Sequence, residues 1–347
     1  MQLYGRTWAR RELEAHVGRI EQIGGVQRVR QTEGRGRDVE QIQVRTGSGL
    51  AYDILPNRGM DISLAAFAGV PLSWQAPNGD AHPAYYDDRD QNWLRSATGG
   101  LLMTCGMRQV GPPNVDEGEE LGLHGRVHHS PAREVGVSTA WEGDEYVMAV
   151  RGVVEESIIY GEFLRLTRTI TSRLGSNVLE IDDTVENLAF QPTPFMLMYH
   201  FNLGFPLLDA ATQITYPSRR RVPIDAATPE DGYVGWDRPD PDYAARVYLH
   251  DDLIADAQGW AAAILDNPAF PLPGGARPVR VKLTWATETL PKLTQWRMAG
   301  AGTHVLGIEP GNCHPIGRAE TRAAGSLRFL QPGESQSFRL ALSVELM

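Results

Sequence analysis

The chain of 347 residues contains only two cysteines, Cys105 and Cys313. Two cysteines cannot build a disulfide framework, and without a Cys-x-x-Cys spacing they do not indicate a zinc or redox site of that kind. The sequence also lacks any run approaching the ~20 apolar residues of a membrane span, and Met1–Trp8 has no apolar core of a secretory signal. We therefore expect a cytoplasmic protein that does not enter the membrane.

Positive charge is also in short supply. Lys and Arg total 33 against 43 for Asp and Glu, which gives a formal net charge of -10. This balance disfavours a polyanionic partner such as nucleic acid. The most compact basic cluster, Arg219–Arg221, is short, and we interpret it as a solvated loop rather than a phosphate site. The composition favours a neutral, hydroxyl-rich small molecule as the ligand, and does not require a sugar phosphate.

Hydrophobic residues make up 42% of the chain, enough for a large core. Most of the chain consists of short runs in which apolar and polar residues alternate, and turn residues separate these runs. Such runs predict strands with one solvated face. The clearest predicted strands are Val39–Thr46, Tyr146–Val154, Leu164–Ile170, Val178–Val185, Val279–Ala286 and Ser337–Val344. Arg173–Asn177 predicts a hairpin turn. Many strands without alternating helices favour an all-β fold of stacked antiparallel sheets.

Helical patterns are sparse. Trp8–Val17 predicts one surface helix, with Thr7 as its N-cap. Two stretches without periodicity, Ala76–Ser96 and Asp225–Asp242, predict long loops of the kind that often carry function. Because no internal repeat or linker divides the sequence, we expect a single domain spanning residues 1–347.

The most informative residue is His200, in the run Met198–Gly204, because Glu309 follows much later in Gly307–Asn312. Each residue taken alone has an ordinary interpretation, His200 as a hydrogen-bonded core histidine and Glu309 as a carboxylate in a turn. Together, a histidine and a glutamate can act as an acid and a base on two atoms of one sugar ring. Opening a cyclic hemiacetal needs such a pair.

A third segment, Leu121–His129, places His124 close to glycines that let a ligand approach the backbone. The three segments, Leu-His-Gly, then a histidine strand ending in Asn-Leu, then a late Glu-Pro, occur in an order that resembles the aldose 1-epimerase (galactose mutarotase-like) superfamily. Two further stretches, Pro56–Ile62 and Leu101–Arg108, look more like a divergent branch of that superfamily than like the galactose enzymes.

The resemblance implies one large antiparallel β-supersandwich and an isomerase that interconverts sugar anomers. It implies that Glu309 is the base and His200 the acid, that His124 helps to hold the ring oxygen, and that Arg108 hydrogen-bonds sugar hydroxyls. The spacing between Arg108 and His124 is shorter than in the galactose enzymes. No cofactor is implied.

Two further residues are candidate sugar contacts. Arg58 is either a second sugar-binding arginine or a buried partner of Asp61 or Asp53. Trp296 either stacks on a sugar face or belongs to the core. Asn202 is expected to orient the His200 strand rather than to touch substrate.

Two other functions remain open from the sequence. If residues 124–129 form a strand, His124 and His128 share one face and could bind a metal with Glu309, with His129 in reserve, which would indicate a metal-dependent isomerase or lyase. The protein could also bind carbohydrate without catalysis, although such a protein does not need both His200 and Glu309. The sequence leaves open which sugar is bound and whether the chain forms a homodimer.

Overall fold

A computed structural model describes all residues, 1–347. The first half of the chain forms strands β1 Gln2–Leu3, β2 Arg6–Thr7, β3 Gly25–Arg30, β4 Glu40–Arg45, β5 Leu50–Leu55, β6 Asp61–Phe67, β7 Val70–Pro71, β8 Leu102–Met107, β9 Asn114–Asp116, β10 Glu119–Leu121, β11 Arg133–Glu142 and β12 Glu145–Ser157. The second half forms β13 Phe163–Arg173, β14 Val178–Asn187, β15 Thr193–Gly204, β16 Gln213–Thr215, β17 Ser218–Pro223, β18 Arg246–Leu253, β19 Trp260–Leu272, β20 Gly275–Ala286, β21 Lys292–Gly300, β22 Thr303–Gly311, β23 Arg328–Leu330 and β24 Ser335–Leu346. The two α-helices are short, α1 Arg10–Glu14 and α2 Arg318–Ala323. Single 3-10 turns occupy Ile20–Gln22, Gly34–Gly36, Pro83–Tyr85, Asn92–Arg95 and Val127–His129.

Two large antiparallel sheets dominate the molecule. One has eight strands in the order β11-β12-β13-β14-β24-β20-β19-β16. The other has twelve, ten of them in the order β17-β18-β21-β22-β15-β8-β6-β5-β4-β3, with β7 and β23 paired to its side. The main hydrophobic core, a cluster of 55 buried residues, draws on both sheets. The predicted all-β class and antiparallel β-supersandwich are confirmed.

Strand β15 shows how the larger sheet has two different faces. Leu197, Tyr199 and Phe201 belong to the main core. Because successive side chains in a strand point to opposite faces, the alternate residues lie on the other side, where Met196 and Met198 join a smaller buried cluster. This second face is covered by loops, and His200 lies on it.

The predicted strands all occur, and β13 and β14 are joined by the predicted hairpin turn. The predicted helix Trp8–Val17 is wrong at both ends, because α1 spans only Arg10–Glu14 and its N-cap is Ala9, without a side-chain cap. Thr7 lies instead in β2, and Trp8 is held by its backbone N–H to the carbonyl oxygen of Met1. These contacts keep the backbone extended where the sequence pattern already favours a helix.

The basic cluster is a second correction. Arg219–Arg221 lies in β17, an edge strand paired with β18, rather than in a loop. The side chains alternate between the two faces of the sheet, so the cluster does not form one basic patch. The predicted loops at 76–96 and 225–242 contain no strand.

None of the helices has both the length and the apolar character that crossing a membrane would require.

Candidate active site

The register of the central strands brings His200 and Glu309 together. In the β15–β22 pair, Met198 lies opposite Gly311 and Phe201 opposite Ile308, so His200 and Glu309 are neighbours on adjacent strands. Their side chains share the face that is turned away from the main core. The distance from His200 Nε2 to Glu309 Oε1 is 3.0 Å.

Both groups are buried, His200 with 6% and Glu309 with 3% of its surface exposed. Glu309 Oε1 and His200 Nδ1 have no hydrogen-bond partner. Burial raises the pKa of the Glu309 carboxyl well above its usual range and lowers the pKa of His200 to about 4. Burial thus favours the neutral form of each group.

Gly307 makes room for the Glu309 side chain. The two residues are two positions apart in β22 and share one face of the sheet. A Cβ atom at Gly307 would overlap Glu309 Oε1 and would also press against the Cβ of Trp296, which lies opposite Gly307 on β21. Sequence reasoning missed this role of Gly307, although a glycine two residues before the carboxylate was a readable signal.

His124 occupies a left-handed turn, with φ 56° at His124 and 71° at Gly125. The backbone N–H of Gly111 donates to His124 Nδ1 over 3.3 Å, so the ring proton lies on Nε2. Burial lowers the pKa of His124 to about 3, and the neighbouring His200 adds to the effect. His124 is therefore a neutral imidazole with a fixed tautomer. Its ring centroid lies 6.2 Å from that of His200.

These side chains line one cleft of about 620 Å³. Trp296 is half-buried, with its ring centroid 5.5 Å from that of His200, so it is exposed to the cleft rather than part of the core. The complete lining consists of Trp74, Ala76, Pro77, Asn78, Trp93, Leu94, Ala97, Gly99, Met103, Gly111, Pro112, Leu123, His124, His200, Ile224, Val247, Thr294, Trp296, Thr303, Glu309 and Pro315. The fold thus brings together four of the six residues expected at the site.

Arg58, the fifth expected residue, does not reach the cleft. Its side chain is fully buried and donates to the carbonyl oxygens of Ala81 and Ser96, at 2.7 and 2.6 Å. It therefore holds the backbone behind the cleft wall, because Ser96 adjoins the lining residue Ala97. Arg58 was also expected as a possible buried partner of Asp61. Its hydrogen bonds go to backbone carbonyl oxygens, so Asp61 is only a nearby charge.

Arg108, the sixth, is committed to carboxylates. It makes a bidentate pair with Glu119, at 2.7 and 2.8 Å, and approaches Glu162 Oε1 at 2.9 Å. Arg108 is not among the residues that line the cleft. Its guanidinium plane is occupied by protein groups, so it stabilises the β10 segment rather than the described cleft.

The arrangement expected for a histidine metal site is not present. Val127–His129 is a 3-10 turn rather than a strand, so His124 and His128 do not share a strand face. His128 Nδ1 lies 2.7 Å from Asp61 Oδ2, and His129 Nε2 lies 2.9 Å from the hydroxyl of Ser96. No group of three or more His, Cys, Asp or Glu side chains is placed to hold a metal ion. His128 and His129 instead support the wall of the cleft from behind.

Asn202 is buried, and its amide donates to the carbonyl oxygen of His200 at 3.1 Å. This contact fits its expected part in orienting the His200 strand. Asn202 does not line the cleft.

Comparisons with known proteins place this geometry in context. Residues 36–344 match the family described as a domain of unknown function, DUF4432. A comparison with curated proteins found no match.

Solved structures give closer parallels for the fold. A candidate aldose 1-epimerase from Klebsiella pneumoniae subsp. pneumoniae MGH 78578 has a TM-score of 0.82 at 23% identity, covering 92% of this chain and 83% of that one. A galactose mutarotase-like protein from Clostridium acetobutylicum has a TM-score of 0.58 at 15% identity, covering 94% of this chain and 100% of that one. For galactose 1-epimerase from Lactobacillus acidophilus NCFM the values are 0.56 and 14%, with 93% and 99% covered. The chain belongs to the DUF4432 family and has the fold of galactose mutarotase-like proteins.

Proposed function

We propose that the protein is an isomerase that interconverts the anomers of an aldose by acid–base opening of the sugar ring, and that residues 1–347 act as one domain. The observation that carries the proposal is the buried pair of Glu309 and His200 in a tryptophan-lined cleft. His200 Nε2 lies 3.0 Å from Glu309 Oε1, and Glu309 Oε1 and His200 Nδ1 have no hydrogen-bond partner. In the proposed complex a bound sugar supplies hydrogen-bond partners to these two atoms.

In the proposed reaction Glu309 takes the proton of the anomeric hydroxyl and His200 gives a proton to the ring oxygen. The bond from the anomeric carbon to the ring oxygen breaks, and a carbonyl group forms at that carbon. Rotation about the bond to the next carbon exposes the other carbonyl face. Reclosure with the two proton transfers reversed gives the other anomer, and both side chains return to their starting states.

The shifted pKa values of Glu309 and His200 bear on which residue acts as the base and which as the acid. A raised pKa of Glu309 makes the carboxylate a stronger base, and a lowered pKa of His200 makes the imidazolium a stronger acid. Starting from the neutral pair, the carboxyl proton must first pass to His200, across the 3.0 Å contact. The opposite assignment, with His200 as base and Glu309 as acid, uses the same single proton.

His124 and Trp296 complete the proposed site. His124 is neutral and carries its proton on Nε2, so it can donate to the ring oxygen of a bound sugar. Trp296 offers an exposed ring face on which a sugar can stack. Neither role requires an arginine, which agrees with the commitment of Arg58 and Arg108 to protein groups.

One-dimensional proton NMR of anomer exchange across a panel of aldoses tests the proposal. Wild-type protein should accelerate the exchange of at least one sugar, and Glu309→Gln should reduce the acceleration by about 10²–10⁴-fold, because it removes the acid–base group. Glu33→Gln, at an exposed site, is the matched control. If Glu309→Gln kept more than half of the wild-type rate, the proposed mechanism would be wrong.

The same assay distinguishes the two other functions. Treatment with EDTA is expected to leave the rate unchanged, whereas activity that returned only with an added divalent metal would favour a metal-dependent isomerase or lyase. Sugar binding without any accelerated exchange would favour a carbohydrate-binding protein.

A further inference from the structure

About half of the residues that line the cleft are hydrophobic. The loops before β8 contribute Trp74, Trp93 and Leu94, and the sheet contributes Val247 and Trp296, which lie opposite each other on β18 and β21. None of the 21 lining residues is an arginine or a lysine. A ligand that fills this space therefore meets aromatic rings and aliphatic side chains over much of its surface.

Few polar side chains remain for the hydroxyl groups of a sugar once the proposed catalytic residues are set aside. These are Asn78, Thr294 and Thr303, together with the indole N–H groups of Trp74, Trp93 and Trp296, of which the N–H of Trp93 is buried without a hydrogen-bond partner. The amide of Asn78 already donates to two backbone carbonyls, those of Leu94 and Ala97. Thr294 is buried and its hydroxyl has no partner, so it is available to a ligand. Each sugar hydroxyl buried without a partner weakens binding by about tenfold or more.

A negatively charged substituent on the ligand also has no arginine or lysine in the cleft lining to pair with. On this face of the sheet, basic groups surround Asp251 on β18. One of them, Lys292, lies two residues before Thr294 on β21, a distance of about 7 Å. Lys292 Nζ lies 2.6 Å from Asp251, His314 Nε2 lies 3.1 Å from it, and Arg220 lies 3.7 Å from it. Asp251 therefore already pairs with all three basic groups, and none of them is left without a carboxylate partner.

We propose that the substrate is an uncharged, deoxygenated aldose, such as a 6-deoxy sugar, rather than a fully hydroxylated, phosphorylated or carboxylated one. This inference rests on the proposed function, since it names the substrate class of the same cleft. A methyl group in place of a hydroxymethyl group packs against the apolar lining and leaves no hydroxyl without a partner. The anomeric end of the sugar still meets Glu309, His200 and Thr294.

Matched pairs of sugars that differ by one hydroxyl give the sharpest test. The pairs are D-galactose and D-fucose, D-glucose and 6-deoxy-D-glucose, and L-mannose and L-rhamnose, with D-galacturonate and D-galactose 6-phosphate as the anionic probes. Binding to Glu309→Gln is measured by calorimetry and tryptophan fluorescence, and anomer exchange by wild-type protein is measured by NMR. In at least one pair the deoxy sugar should bind about tenfold more tightly than its hydroxylated partner, and both anions should bind more weakly than D-galactose.

A volume-conserving substitution places a hydroxyl in the apolar wall. Val247→Thr should reduce the preference for the deoxy sugar by about 2–10-fold, because the new hydroxyl gives the sugar a partner. Val137→Thr, at an exposed position of β11, is the matched control and should leave the preference unchanged. Neither variant removes a proposed catalytic group.

The outcomes separate the inference from the proposed function. A preference for deoxy sugars without anomer exchange supports the inference about the cleft and overturns the proposed isomerase. Anomer exchange with equal or better binding of the hydroxylated partners overturns the inference alone. Tight binding of D-galactose 6-phosphate that is lost in Lys292→Met would identify the Asp251 cluster as a phosphate subsite and would also overturn it, as would a failure of every sugar to bind.

Discussion

Tyr199 and His200 are consecutive residues of β15, yet their side chains lie on opposite faces of the sheet and differ in whether their polar atoms are hydrogen-bonded. The hydroxyl of Tyr199 points into the sandwich and donates to Asp183 at 2.7 Å. The imidazole of His200 faces the cleft, where its Nδ1 has no partner. One step along a strand therefore separates a hydrogen-bonded group in the core from an open one in the candidate site.

The group on the inner side, called the inner-face ion network, consists of Arg168, Asp61, Asp183, Tyr199, Thr104 and His128. Arg168 on β13 binds Asp183 at 2.7 Å and Asp61 at 2.8 Å, so it links the two sheets. Thr104 donates to Asp61 from both its backbone N–H, at 2.8 Å, and its hydroxyl, at 2.5 Å. The charged groups of this network are fully buried and none of their side-chain atoms lacks a partner.

The inner-face ion network and the pair formed by His200 and Glu309 differ in their hydrogen bonding. This difference separates buried polar groups that stabilise the fold from those that are available to react with a ligand. A complete network keeps each charge solvated by the protein and leaves nothing for a ligand to bind. The pair formed by His200 and Glu309 has the burial without the hydrogen bonds. Its unpaired atoms, Glu309 Oε1 and His200 Nδ1, are the groups with hydrogen-bonding capacity left for a ligand.

The largest expected effect comes from breaking the inner-face ion network. Arg168→Met leaves Asp61 and Asp183 buried without their cation, and should lower the free energy of unfolding by about 3–5 kcal/mol. Urea unfolding followed by circular dichroism measures the change. Arg173→Met is the matched control, because its ion pair with Glu180 is about 40% exposed, and it should cost only about 0–1 kcal/mol. Equal effects of the two substitutions would show that the network does not stabilise the sandwich.

The second prediction concerns the cleft, where His200 and Glu309 have atoms without hydrogen-bond partners. Gly307→Ala should displace the Glu309 carboxylate, because the added methyl group overlaps Oε1. We expect anomer exchange to slow by about 10–100-fold, equivalent to about 1.4–2.8 kcal/mol, while the fold remains stable. Gly136→Ala is the control, since a Cβ at this strand position meets open space. A Gly307→Ala protein with the wild-type rate would mean that the position of the carboxylate does not matter.

The sequence carried enough information for the site residues that depend on short motifs. His200, Glu309 and His124, which the resemblance of their segments to the aldose 1-epimerase superfamily implied, line the cleft together with Trp296. The strands of the two sheets were predictable for another reason, since their alternation of apolar and polar residues can be read from neighbouring residues alone.

The two arginines could not be assigned in this way. The partners of Arg58 are carbonyl oxygens of Ala81 and Ser96, and those of Arg108 are Glu119 and Glu162. These contacts depend on how loops fold back on the sheet, and no local pattern records that. The short turn at residues 127–129 could not be assigned for a related reason, since a run of histidines has no strong preference for a strand or for a loop.

The third prediction uses pH to show that the open pair costs stability. Burial raises the pKa of Glu309, so above its ordinary value of 4.5 the unfolded chain releases a proton that the folded protein keeps. The contribution of Glu309 to the free energy of unfolding therefore falls as the pH rises from 4.5 towards the folded pKa, while buried histidines such as His200, whose pKa is lowered to about 4, contribute the opposite slope below their ordinary pKa. Glu309→Gln removes this loss and should be more stable than wild type by on the order of 1 kcal/mol at neutral pH.

Urea unfolding of wild type and Glu309→Gln between pH 4 and 8 measures the difference. The advantage of the variant should grow with pH and disappear near pH 4, and Glu33→Gln should track the wild type throughout. A Glu309→Gln protein that is less stable at neutral pH would indicate that the carboxylate is ionised and well solvated in the folded protein.

The smallest expected effect concerns Arg108, which the family resemblance assigns to the sugar and the geometry assigns to Glu119. Arg108→Gln removes a largely buried ion pair with 10% of the arginine side chain exposed, so the free energy of unfolding should fall. The KM for the sugar should change by less than about twofold, because the guanidinium does not line the cleft. His124→Gln, which alters a lining residue, should raise KM by more. A KM raised by tenfold or more in Arg108→Gln, at a temperature where the variant is folded, would contradict this prediction. It would mean that Arg108 leaves Glu119 to bind substrate, and that a cation belongs to the binding site beside His200 and Glu309.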